Sequence, residues 1–454
     1  MLAFLSLLSR YYFVFLIAYF LLQSGYHIFK GKGRHHFLVI LLFNIFAFAI
    51  LSFDANMLHL DMQALTFGGL AMIFAIGGPF LIKRVYSRPC PLITYIMFFL
   101  LSIGFIMLQR LNPGLATRQL LIAALGLLVS MFVPLIFRIF GQFEKLQKLF
   151  ALLCLALIGI VSVADAIGAL TGFPIVSVDG FGAAHWVAIG GVAFQPAEFA
   201  KPIFVLYLAS AFRVKPTLGK LVFSGGMAAA MVGILVMQRN LGSALMFFVI
   251  FMVMLYTATG SKALFATGFG GMGVGSFGAY HLFSHVRIRV LAWSDPWPYI
   301  ANQGFQLTQS LFAIATWGPF GAGLGRGMPY RIPIVERDVI FSAISEEFGW
   351  IFALLIICLY AALLLQGVNI AKKAKRPLHA LMSIGFTTFL VFQAFVSIGG
   401  NIRLIPMTGI TLPFVSFGGT SVFVSMLMVG ALNWLNGQHN HNNDDDEPNE
   451  KSLT

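Results

Sequence analysis

The sequence predicts an all-α protein, a polytopic membrane helical bundle of about 13 transmembrane helices. Three observations carry that prediction. Hydrophobic residues make up 59% of the 454 and charged residues only 10%, whereas a soluble domain draws on about 25% charged residues to cover its surface. Mean hydropathy is +0.88. Apolar runs of about 20 residues, enough to cross a hydrocarbon core about 30 Å thick, recur along the chain.

The first run, 11–29, has no small-residue cleavage site and ends in the basic segment Lys30-Gly31-Lys32-Gly33-Arg34. It reads as an uncleaved helix with its basic flank in the cytoplasm. Further spans are expected at 37–53, 63–82, 91–109, 119–140, 147–171, 193–212, 219–237, 241–258 and 263–283. A hydrophilic segment of about 285–338 then precedes spans at 339–366, 378–398 and 408–436. Loops of that length inside a compact protein usually carry function. Alternation places Lys83, Arg84, Arg88, the 138–148 loop, Arg213, Lys215, Lys220 and the cluster Lys372, Lys373, Lys375, Arg376 inside, as positive loops require. The basic residues left outside are all arginine: Arg10, Arg110, Arg118, Arg239, Arg287, Arg289, Arg326, Arg331, Arg337 and Arg403. A planar, permanently charged fork suits bidentate phosphate contacts, so this face fits an anionic headgroup ligand. Chance together with ordinary lipid contact accounts for it equally well.

The net charge of +13 and pI near 9.8 reflect basic loops facing anionic lipid; no nucleic acid is expected. Cys90, Cys154 and Cys358 are far apart with no CxxC spacing, so they read as packing residues and not as a metal site or disulfide framework. The segment 438–454 is polar and acidic, a disordered cytoplasmic tail by composition.

Five of the 16 acidic residues lie in that tail, leaving eleven for the body, and each needs a reason. Glu198 and Lys201 stand three apart after Pro196, on one helix face, where they line a cavity or pair structurally. Asp338, Glu346 and Glu347 place carboxylates near the outer surface of the next span. The outer segment carries Arg287 and Arg289, then Trp293-Ser294-Asp295-Pro296-Trp297-Pro298-Tyr299, then Gly304-Phe305-Gln306-Leu307-Thr308-Gln309-Ser310. Arginines, aromatics and one carboxylate suit a saccharide or phosphosugar site, although tryptophans are also ordinary interface anchors. The glycine string 318–327 follows no strand and lacks GK[ST], which argues against nucleotide binding. Gly271 and Gly275 most simply allow close helix packing.

Several segments together resemble the SEDS family of bacterial cell-wall polymerases, the FtsW, RodA and SpoVE proteins. They are Gly182-Ala-Ala-His-Trp186, Gly190 to Lys201, Gln238 to Ala244, Asp295-Pro-Trp297, Gly304 to Ile314, Gly321 to Gly325, Asp338 to Gly349 and Pro406 to Ser421. They occur in the family's order over about 90–436. The resemblance implies a ten-helix core over 89–437, three additional N-terminal helices over 1–88, and an outer loop at 285–338. It also implies a peptidoglycan glycosyltransferase that joins lipid II units, with a class B penicillin-binding protein as partner, in the bacterial cytoplasmic membrane. The sequence specifies no cofactor, and a divalent cation stays open.

Three positions depart from the family pattern. Its catalytic aspartate falls on Tyr299, a phenol with a reference pKa of about 10; His185 stands for Arg or Lys; Asn240 replaces an aspartate. Asp295 is therefore the candidate base, with Glu198, Lys201, Arg287, Arg289, Gln306, Gln309, Ser310, Asp338, Glu346, Glu347, Thr408 and Ser416 as candidate substrate-binding residues. Two other functions compete with polymerisation: a non-catalytic member that binds lipid II or division and elongation partners, and a lipid-linked precursor flippase.

Overall fold

A computed structural model describes residues 2–31, 35–53, 60–141, 143–171, 176–178, 184–189 and 192–438. The expected acidic tail lies outside these residues from position 439 onward. The helices are α1 (Leu2–Lys30), α2 (His36–Ser52), α3 (Met62–Val85), α4 (Pro91–Leu111), α5 (Pro113–Ser130), α6 (Val133–Ile139), α7 (Gln147–Thr171), α8 (Pro196–Phe212) and α9 (Leu218–Met237). They continue as α10 (Leu241–Thr259), α11 (Lys262–Leu282), α12 (Ser284–Ser294), α13 (Phe305–Thr316), α14 (Ile340–Phe348), α15 (Trp350–Lys373), α16 (Pro377–Asn401) and α17 (Gly419–Gly437). Among the described residues, nine helical segments are long and apolar enough to cross a membrane, so the chain is an all-α, multi-pass membrane protein. The other four expected spans are α2, α8, α11 and α17, with 17, 17, 21 and 19 residues.

Helix α4 is the centre of the bundle. Every residue from Leu92 to Gln109 except Tyr95 is buried, as befits a helix that is apolar all round. It is enclosed by α2, α3, α5, α15 and α17. The N-terminal helices belong to this packing. A Cβ at Gly78 of α3 would stand 2.1 Å from the Phe98 ring, so only glycine admits the contact. Asn44 of α2 donates to Ser102 Oγ at 2.8 Å. Helix α1 lies along α15, and Phe13 of α1, Phe43 of α2, Phe348 of α14 and Phe352 of α15 form an aromatic seam.

Local chemistry moves several expected boundaries. The span expected at 119–140 starts earlier, because Asn112 caps Leu115 N at 3.2 Å with Pro113 in the first turn, and it breaks at 131–132 before Pro134. The span expected at 339–366 is two helices. Gly349, at φ 91°, separates α14 from α15, and a Cβ there would meet Pro319 O at 2.2 Å. Residues 408–418 are not helical. Pro413 interrupts the run and Phe414 adopts φ 67°, so α17 begins only at Gly419. Non-helical backbone at membrane depth must be covered by protein. Here Pro413 O accepts from Tyr360 Oη at 2.6 Å, and Gly104 of α4 lets the Phe414 and Val415 carbonyls approach.

The segment Val176–Phe194 contributes what the apolar pattern did not foretell, a small antiparallel sheet. Strands β1 (Val176–Val178), β2 (Ala184–Ile189) and β3 (Val192–Phe194) pair in that order, and Val187 with Phe194 packs on Val161 and Ala164 of α7. On α11, Gly271 and Gly275 have nothing within 4 Å of a built Cβ, so they make no close helix contact within this chain.

Candidate active site on the outer face

Helix α16 is the post to which the candidate residues are tied. Midway along it, Gln393 Oε1 accepts from Lys201 Nζ at 2.8 Å, and the same ammonium donates to Glu198 Oε1 at 2.6 Å. Pro196 opens α8, and the i, i+3 spacing sets both charges on one face. Lys201 is 0% and Glu198 4% exposed, so the pair is closed off by its partners and lines no open cavity. Gln393 Nε2 extends the network to Thr411 O at 3.0 Å and Ser421 Oγ at 2.9 Å. Neutralised in this way, the charges avoid the several kcal/mol that an unpaired ion would cost in a span.

Eight residues further, about 12 Å along the axis, the end of α16 holds the outer segment. Ser310 Oγ donates to Asn401 O at 3.0 Å and lies 2.5 Å from Ser342 Oγ. Arg403, at φ 61°, turns back toward α12: its Nε donates to Trp293 O at 2.9 Å and its Nη2 to Ser294 O at 2.5 Å. Trp293 Nε1 returns a bond to Arg403 O at 3.0 Å. A cation on the last carbonyls suits a helix C-terminus. These bonds fix the residue that follows, Asp295.

Asp295 is exposed, and its Oδ1 accepts from Trp297 N at 3.4 Å. Tyr299 follows on a short 3-10 turn, also exposed. The turn closes tightly at Gly304, where a Cβ would come within 2.5 Å of Pro296 O. On α12, Arg287 is exposed and Arg289 half-buried; two positions apart on a helix, they point to different sides. His285 lies on the same helix. Burial first, then the charges of Arg239 and Arg289, hold its imidazole below the ordinary histidine range. Arg239 and Arg289 thus make a cationic outer patch around an imidazole that their charge keeps from ionising.

On α13, Gln306 Nε2 donates to Pro333 O at 2.8 Å, and Gln309 is half-buried. Asp338 is half-buried beside Gly409, and Phe417 N donates to Glu336 O at 2.8 Å, joining this strip to the 408–418 segment. Thr408 packs on Gly242. Ser416 is buried, its Oγ accepting from Leu412 N at 2.8 Å and its carbonyl from Gln119 Nε2 at 2.9 Å. Asn240 caps α10 through Ser243 N at 3.2 Å. The side chain of His185 lies outside the described residues.

The two adjacent glutamates grip the glycine string. Glu346 Oε1 accepts from Met328 N at 2.7 Å, and Glu347 Oε2 from Gly325 N at 3.1 Å. Arg110 Nε stands 3.3 Å from Glu347 Oε1 and reaches the Gly325 and Gly327 carbonyls. Arg10 Nη2 donates to Ala322 O at 2.5 Å, with Tyr11 against Phe320. Glu198, Lys201, Ser310, Glu346, Glu347 and Ser416 therefore spend their bonds inside the chain and build the frame. Asp295, Arg287, Arg289, Gln306, Gln309, Asp338 and Thr408 remain at or near its surface. Sequence reasoning did not single out Arg403, Gln393, Arg110 or Arg239 as site residues. The only signal was that Arg403, Arg110 and Arg239 belong to the outer arginine set.

The chain matches a family model described as "Cell cycle protein" (FtsW/RodA/SpoVE) over residues 84–441. It is 33% identical over 267 residues to the peptidoglycan glycosyltransferase RodA of Mycobacterium tuberculosis, covering 55% of this chain and 57% of that one. The chain thus spans little more than half the length of that relative. It is 30% identical over 372 residues to the stage V sporulation protein E of Bacillus subtilis, covering 76% and 96%. A solved chain from work on polymerization and crosslinking by a peptidoglycan synthase complex superposes with a TM-score of 0.64 at 24% identity, over 77% of this chain and 98% of that one. The rod shape determining protein RodA of Thermus thermophilus gives 0.55 at 23% identity, over 77% and 96%. At such identities these likenesses speak for the fold.

Proposed function

This chain belongs to the FtsW/RodA/SpoVE family, and from that premise we propose that it is a peptidoglycan glycosyltransferase acting on lipid II in the bacterial cytoplasmic membrane. The observation that carries the reading is the exposed Asp295 carboxylate, held by the Arg403 clamp at the end of the helix that also bears Arg289. Asp295 accepts the proton of the attacking 4-hydroxyl as its oxygen bonds to the anomeric carbon of a second unit. The anomeric bond to undecaprenyl pyrophosphate breaks, and the cationic patch of Arg239 and Arg289 takes up the negative charge of the leaving group. Arg287, Gln306, Gln309, Asp338 and Thr408 are the proposed contacts to the sugars and peptide, a reading supported by their position at or near the surface. A class B penicillin-binding protein is the proposed partner; the solved neighbour's description, which couples polymerization with crosslinking, supports it.

A non-catalytic role is the second reading, favoured by Tyr299 at the position where the family carries its aspartate. The purified chain, with its cognate transpeptidase, is given lipid II and glycan products are compared for wild type, Asp295→Ala and Tyr299→Phe. Loss of product by about 10²- to 10⁴-fold in Asp295→Ala is expected, with Tyr299→Phe active. Polymerisation that survives Asp295→Ala removes Asp295 as the base. No product from wild type with any transpeptidase supports the non-catalytic role.

A further inference from the structure

An apolar groove of about 680 Å³ runs between α1 and α15. Ala18, Leu22, Phe29, Leu355 and Cys358 line it, and Lys30 stands at its end. On α1 the lining positions recur every three or four residues, so one helix face forms the wall. Gly25 widens the groove: a Cβ built there meets nothing within 4 Å. From Ala18 to Lys30 the wall extends about 18 Å, a little more than half of a hydrocarbon core about 30 Å thick, which is the depth of one leaflet.

The mouth is cationic. Lys30 Nζ lies 5.3 Å over the Tyr26 ring, an aromatic placed where headgroup-level anchors sit. The last turn of α15 adds Lys372 and Lys373, both exposed and ending on the same side of the membrane. No acidic residue stands within the last two turns of either helix. The apolar wall would accept the acyl chain of any lipid; the charge at its end selects the headgroup. We infer that this groove seats an anionic phospholipid of the inner leaflet, one acyl chain between α1 and α15 and its phosphate at Lys30, with Lys372 and Lys373 adding attraction.

The molecule carries its own reporter. Cys358 lines the groove and is exposed, whereas Cys90 and Cys154 are buried. The full chain is labelled at Cys358 with a bimane and reconstituted in phosphatidylcholine vesicles containing brominated phosphatidylglycerol or, at equal mole fraction, brominated phosphatidylcholine. Quenching reports occupancy without turnover, so the outcome does not depend on the polymerase reading. The expected result is an apparent affinity at least about fivefold higher for phosphatidylglycerol, from one lysine near the surface. That preference falls to parity in the Lys30→Ala, Lys372→Ala, Lys373→Ala variant, whose exposed side chains leave the melting temperature unchanged. Gly25→Leu, which fills the groove, lowers quenching by both lipids. Equal quenching by the two lipids in wild type, or a preference that persists in the triple variant, overturns the inference.

Discussion

Glu347 is the residue at which burial and charge conflict most directly. Wholly buried at the end of α14, ahead of the membrane-spanning α15, its carboxyl is pushed up from 4.5 to about 7 by burial, against the pull of Arg110 and the Gly325 amide. The negative end of its own helix works in the same direction as burial. An acid that ionises less readily folded than unfolded binds more protons in the native state between those values. Stability therefore declines as pH rises from about 4.5 to about 7 and is level above. The full effect is roughly 3 kcal/mol. The melting temperature of wild type should fall across that window and that of Glu347→Gln should fall less; parallel slopes would show that another group is responsible. The Lys201 pair behaves differently because it is balanced. Lys201→Met leaves Glu198 buried and uncompensated, with an expected loss of about 3 to 5 kcal/mol. Adding Glu198→Gln should recover most of it, read as coupling in a thermal double-mutant cycle.

At the level of elements, the junction between α14 and α15 is the least tolerant point. Gly349→Ala must adopt φ 91° and bring a Cβ within 2.2 Å of Pro319 O. A loss of more than about 2 kcal/mol is expected from the strain alone, before the clash is counted. Gly275→Ala, on the open side of α11, should be neutral or stabilise by up to about 1 kcal/mol through helix propensity. Denaturation of the two purified variants side by side measures the contrast. The same junction shows what the residue pattern could convey. Long apolar runs place the helices, because a bilayer asks for length and hydropathy, both local properties. The apolar run 339–366 hid the break at Gly349, because what forbids a side chain there is a carbonyl of Pro319, thirty positions away. The outer arginines were visible as a set, and Asp295 as a lone acid. That Arg403 clamps Trp293 and Ser294 was not, since 110 residues separate them and no periodicity links them.

For the whole molecule, the distribution of charge predicts orientation. Tyr330 is exposed on the arginine-bearing face and Lys375 on the lysine-bearing face. In a background with Cys358→Ser, an impermeant maleimide added to intact cells should label Tyr330→Cys and spare Lys375→Cys until the membrane is opened. The reverse pattern would invert the topology and move Asp295 to the cytoplasm.

The way the bundle is stitched also sets the order of events while the chain is being made. Cys90 N donates to Asn433 Oδ1 at 2.8 Å, and Arg88 O accepts from Asn436 Nδ2 at 2.9 Å, across 343 and 348 residues of sequence. Arg10 waits for Ala322 across 312 residues. At about 5 to 20 residues per second, the early helices spend roughly 15 to 70 s in the membrane before their late partners emerge. During that interval the flank of α4 that α15 and α17 will cover has only lipid or a membrane chaperone against it. A ribosome stalled before α17 would leave a nearly complete protein unlatched, and thus recognisable to membrane proteases as unfinished.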